Sequence, residues 1–108
     1  MAVIALAMFT ASVNADCGRP PANYKAMATN YLKSVLKDPY SAKIQIVGVE
    51  NWNAGIIPVH ETPEVAVEPC WAVIAFVNAK NSFGAYTGTR KMVVWMLEDQ
   101  VINAVAMP

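Results

Sequence analysis

The chain has 108 residues, 56% of them apolar and 15% charged, with eight Lys plus Arg balancing eight Asp plus Glu. That length holds one domain, and so apolar a composition excludes an intrinsically disordered chain. A net charge of zero argues against nucleic acid as the partner, because neutralising phosphates requires a basic surplus.

Residues 1–15, MAVIALAMFTASVNA, contain no charged side chain. An apolar run from Ala2 to Phe9 gives way to Thr10, Ser12 and Asn14, and the segment closes on Val13-Asn14-Ala15. A β-branched residue at −3 and Ala at −1 suit a signal peptidase, so cleavage is expected between Ala15 and Asp16. No Lys or Arg precedes Ala2, where such a peptide ordinarily carries one. The apolar run is too short to span a bilayer, which takes about 20 residues. The expected organisation is a signal peptide over 1–15 and a single domain over 16–108.

Cys17 and Cys70 are the only cysteines. In an oxidising compartment such a pair forms a disulfide by default. The alternative is a lipidated Cys17 with Cys70 as a buried thiol, but the charged Asp16 just before Cys17 fits lipoprotein processing poorly. With one His and no CxxC pair, a zinc site is not expected.

From Ala22 to Lys37, Tyr24, Met27, Ala28, Tyr31, Leu32, Val35 and Leu36 recur at spacings of three and four and form the stripe of an amphipathic helix. Pro20 and Pro21 precede it, and Pro39 stops it through Asp38. Ala42–Glu50 alternates and reads as a strand. Residues 51–70, with Pro58, Pro63 and Pro69 and the acids Glu61, Glu64 and Glu68, form a long connection in which Ile56, Ile57 and Val59 suit a short edge strand. Trp71–Ala79, apolar on both faces, reads as a central strand under the helix, and Lys91–Leu97 as its neighbour. A tight turn at Glu98-Asp99-Gln100 leads to a last strand, Val101–Met107. The fold class is therefore α+β: an N-terminal amphipathic helix packed on a three- to five-stranded antiparallel meander sheet.

Between the two strongest strands lies VNAKNSFGAYTGTR, Val77 to Arg90. Asn78, Lys80, Asn81, Ser82, Tyr86, Thr87 and Arg90 gather there around Gly84 and Gly88, as in a recognition loop held by rigid strands. A long hairpin whose polar residues serve only its turn has the same composition. Its glycine spacing is not that of a phosphate loop. Trp52, flanked by Asn51 and Asn53, is the tryptophan expected at the surface, facing a partner; Trp71 and Trp95 belong to strands and to the core. His60, with Glu61, Glu64 and Glu68 nearby, reads as part of a solvated acidic loop. No GxSxG elbow surrounds Ser41 or Ser82, so no nucleophile stands out.

LKDPYSAK (Leu36 to Lys43) followed by WAVIAFVNAKNSFGAYTGTR (Trp71 to Arg90) resembles a group of small exported bacterial proteins, many of them lipoproteins, that pair an LKDPxSA helix end with a VNAKNSFGxYTG hairpin. The likeness covers about a third of the chain. It implies a bacterial cell-envelope setting and brings no catalytic residues. Asn14-Ala15-Asp16 before Cys17 departs from the lipoprotein members.

The expected function is that of a non-catalytic, periplasmic or secreted envelope protein that binds another envelope protein, as a subunit of an envelope or secretion assembly or as an inhibitor or immunity-type protein. Lipid anchoring through Cys17 would add the membrane as a partner. A small periplasmic hydrolase, or a small-ligand or glycan binder using the 78–90 loop, is the alternative. No cofactor is expected.

Overall fold

The computed structural model describes residues 17–36, 40–80 and 88–107. The leader expected over 1–15, Asp38 and Pro39 at the helix stop, and Asn81, Ser82, Tyr86 and Thr87 of the 78–90 loop lie outside the described residues.

One helix, α1, spans Tyr24–Val35. It starts with the stripe at Tyr24, two residues later than the expected Ala22, because Ala22 and Asn23 form the turn into it: the Tyr24 N–H donates to Pro21 O at 3.1 Å and the Met27 N–H to Asn23 O at 3.0 Å. At the other end Leu36 is extended, with φ −85° and ψ 146°, and its N–H closes the last turn on Leu32 O. Ala28 and Leu32 are fully buried, while Tyr24, Met27 and Tyr31 pack beside them.

The strands are β1 (Lys43–Asn51), β2 (Ile57–Pro58), β3 (Ala66–Val67), β4 (Trp71–Asn78), β5 (Arg90–Leu97) and β6 (Gln100–Ala106). The main sheet is antiparallel in the order β1-β4-β5-β6, a meander into which β2 and β3 are inserted as a separate two-stranded ribbon. β4 is central, as its two apolar faces demand, and the register runs from Lys43↔Asn78 to Asn51↔Trp71 on one side. On the other side it runs from Trp71↔Met96 to Val77↔Arg90. β1 shifts register between Ile46 and Gly48, and the β5–β6 pair shifts at Trp95/Met96. Glu98 takes φ 57° in the turn from β5 to β6.

Because side chains alternate along a strand, the two faces of the sheet have separate cores. One holds Val73, Ala75 and Val77 of β4 with Val94 and Met96 of β5, all covered by Ala28 and Leu32 of α1. The other holds Ala72, Val93, Trp95 and Ile102, covered by Ile57 with Trp52, Val59 and Val67 packed against them. Residues 52–69 are therefore a third layer beneath the sheet. The short edge strand expected around Ile57 is β2; it pairs through Ile57 with Val67 in the ribbon rather than with the main sheet, and Ile57 is buried. Hydrogen bonds fasten this layer: the Trp52 N–H to Cys70 O at 2.8 Å, the His60 N–H to Ile102 O at 3.0 Å, and Asn103 Nδ2 to Pro58 O at 3.1 Å.

Trp52 also departs from expectation. It is half-buried, its ring stands edge-on to Trp95 with centroids 5.3 Å apart, and its Nε1–H donates to Gly55 O at 2.7 Å. An indole that finds both an aromatic partner and an acceptor for its N–H is a packing residue, not a surface anchor.

Cys17 and Cys70 form a disulfide that ties the segment before α1 to the entrance of β4 across 53 positions. Closing a loop of that length stabilises the fold by about 4 kcal/mol in the chain-entropy account. The Cys17 sulfur committed to this bond is not open to a thioether lipid. Among the described residues no helix is long and apolar enough to cross a membrane.

Candidate functional site

The antiparallel register brings the ends of the 78–90 segment together with the start of β1. Asn78 closes β4 opposite Lys43, Lys80 lies two residues on, and Arg90 opens β5 opposite Val77. These three of the sequence-marked residues share one end of the sheet. Trp52 does not join them, since it belongs to the layer beneath the opposite end.

Charge divides between the same two ends. In residues 40–107 the cations are Lys43, Lys80, Arg90 and Lys91, and the acids are Glu50, Glu61, Glu64, Glu68, Glu98 and Asp99. All four cations lie at the end where Val77 pairs with Arg90. All six acids lie toward the other end, where Glu50 pairs with Ala72, Glu98 and Asp99 turn β5 into β6, and the ribbon layer carries the rest. Within residues 40–107, charges of opposite sign thus gather toward opposite ends of the sheet.

Among the described residues, the cover on the ribbon side ends short of the basic end. Phe76, Val47 and Val105 are 36%, 57% and 44% exposed, although each sits in a strand. Beside Phe76, a depression of about 180 Å³ is lined by Lys43, Gln45, Asn78 and Thr89. Asn78 Oδ1 is buried there without a hydrogen-bond partner. Such an acceptor is uncommon in a folded chain and retains the capacity to take a donor. Lys91, opposite Phe76 on β5, is exposed at the rim. On the helix side of the same end, Leu36, Val77, Met92 and Ala106 line a cavity of about 270 Å³ with Arg90 at its margin. Apolar centre, amide and hydroxyl groups around it, and a cationic rim together compose a surface suited to an acidic protein.

His60 is exposed at the acidic end, its ring edge-on to Tyr31 with centroids 6.0 Å apart. Among the described residues no three His, Cys, Asp or Glu side chains converge as metal ligands would. Burial, and secondarily the Glu61 carboxylate, raise the pKa of the Tyr31 phenol above its ordinary value.

Phe76 was not marked by the sequence, because a residue inside WAVIAFVNA reads as core, and Lys43, Gln45 and Val47 were read only as members of the strand Ala42–Glu50. The signal available was parity: Phe76 shares its face with Ala72 and Ile74, and a cover beginning at Asn51 and ending at Cys70 starts and finishes at the far end of that face. Comparison of the chain with protein-family models, curated proteins and solved structures finds no match.

Proposed function

We propose that this chain is an exported cell-envelope protein, released from its leader after Ala15, that binds an acidic surface of another envelope protein through the basic end of its sheet. The observation that carries the reading is the partly exposed Phe76, with Val47 and Val105 of the middle rows exposed behind it, beside Lys43, Lys91 and the unbonded Asn78 Oδ1. Export is supported by the Cys17–Cys70 bond, of a kind that persists in oxidising compartments, and by the likeness of Leu36–Lys43 and Trp71–Arg90 to small exported bacterial proteins. The occupied Cys17 sulfur favours a periplasmic or secreted form over a lipid-anchored one. In the exported form the helix is the first element of the mature domain.

The test is co-purification of the native processed protein from envelopes, as wild type, Phe76→Asp and Lys91→Glu. One acidic protein recovered with the wild type and lost with Phe76→Asp and with Lys91→Glu, both variants still folded, is the expected result. Equal recovery with all three forms would contradict the assignment. So would co-purification with anionic lipid alone. Mass spectrometry of the mature form should find Asp16 at its N-terminus.

A further inference from the structure

The acidic end carries a second cavity, of about 230 Å³, built from three elements. Tyr31 of α1 faces it, His60, Glu61 and Thr62 follow the ribbon strand β2 along one side, and Gln100 opens β6 on another. Backbone bonds fix its walls: the His60 N–H donates to Ile102 O at 3.0 Å, and the Val65 N–H to Thr62 O at 2.8 Å. Tyr31 Oη is buried and has no hydrogen-bond partner.

The polar groups around the cavity decide what it can take. Glu61 brings a carboxylate and neither Lys nor Arg lines the space, so an anion is repelled. Tyr31 keeps its proton at neutral pH, since burial and then Glu61 hold its pKa up, and it offers a donor as well as an acceptor. Thr62 and Gln100 likewise both donate and accept. An ammonium group brings donors only and offers no acceptor to the buried Tyr31 O–H. A neutral hydroxylated ligand meets both needs, accepting from Tyr31 and donating to Glu61.

We propose that the cavity formed by Tyr31, His60, Glu61, Thr62 and Gln100 binds one ring of a neutral polyhydroxylated compound, a sugar ring either free or at the end of a glycan. This site stands at the opposite end of the sheet from the protein-binding surface and does not depend on it.

Isotope-labelled protein titrated with glucose, N-acetylglucosamine and chitotriose, and separately with phosphate and methylammonium, tests the assignment by amide chemical shifts. At least one sugar should give saturable shifts at Glu61, Thr62 and Gln100. Tyr31→Phe, Gln100→Ala and the exposed Thr62→Ala should each weaken that binding about five- to tenfold, with the fold intact by its amide spectrum. Tighter binding of the trisaccharide than of either monosaccharide assigns the site to a glycan end, and equal or weaker binding assigns it to a free sugar. No saturation by any sugar, saturation by methylammonium alone, or affinity unmoved by all three variants would overturn the proposal.

Discussion

The two ends of the sheet are built from the same strands and finished differently. At the acidic end α1 lies over one face and residues 52–69 over the other, a disulfide closes the corner, and Trp95 and Met96 are almost wholly buried. At the basic end Phe76 stands partly exposed on one face, with Val47 and Val105 of the middle rows exposed behind it, and a cavity opens beside Leu36 on the other. Stability and protein recognition are thereby separated: changes in the core and at the disulfide of the acidic end should act on folding, and changes at the basic end on protein binding.

The largest effect is expected at the corner. Replacing Cys17 and Cys70 by Ser should cost about 4 kcal/mol, read as a fall in denaturation midpoint with a steeper slope, since the uncrosslinked unfolded chain exposes more surface. A loss well under about 1 kcal/mol would mean that the bridge does not organise the covered end. Next comes a pair of truncations on neighbouring strands. Met96→Ala should destabilise by about 2–5 kcal/mol, whereas Phe76→Ala should cost only about 1–2 kcal/mol, because only the first leaves a sealed cavity. Similar losses at both positions would erase the contrast. Lys91→Glu should then slow association with the acidic partner by about tenfold at low salt and much less at high salt, with stability unchanged, as rim charges act on encounter. A salt-independent defect would place Lys91 in a desolvated contact instead.

The smallest effect concerns Tyr31. Its folded pKa is raised above the ordinary 10.0, first by burial and then by Glu61, so the unfolded chain loses this proton before the folded one does. Stability should therefore decline as pH rises above about 10, until the folded phenol ionises as well. Tyr31→Phe should remove that part of the decline and leave stability at pH 7 nearly unchanged. Melting curves at about pH 9 and 11 compare the two proteins, and an identical alkaline decline in both would refute the assignment of burial to this hydroxyl.

What the sequence made legible was local periodicity. The helix stripe, the central position of Trp71–Asn78 and the hairpin from Arg90 to Ala106 follow from spacings of three to four and of two, and their ends differ from expectation by one or two residues. Long-range cover was hidden. Ile57 and Trp52 sit among prolines, acids and asparagines, and nothing near them reveals that they pack against Trp95 and Ile102. The charge division was hidden for a similar reason. Lys43 and Arg90 are far apart along the chain, and only the pairing of β4 with both β1 and β5 sets them at one end. Asn78, Lys80 and Arg90 were legible as a group because polar residues between two strong strands must gather at the strand ends. Phe76 was not, because apolar character alone does not tell a covered face from an uncovered one.

The most direct measurement is photo-crosslinking in intact cells from a benzoylphenylalanine placed at Phe76 or, in a second protein, at Val65, which is 46% exposed at the covered end. The account predicts one protein adduct from position 76 and none from position 65. An adduct from position 65 alone, or none from either, would contradict it.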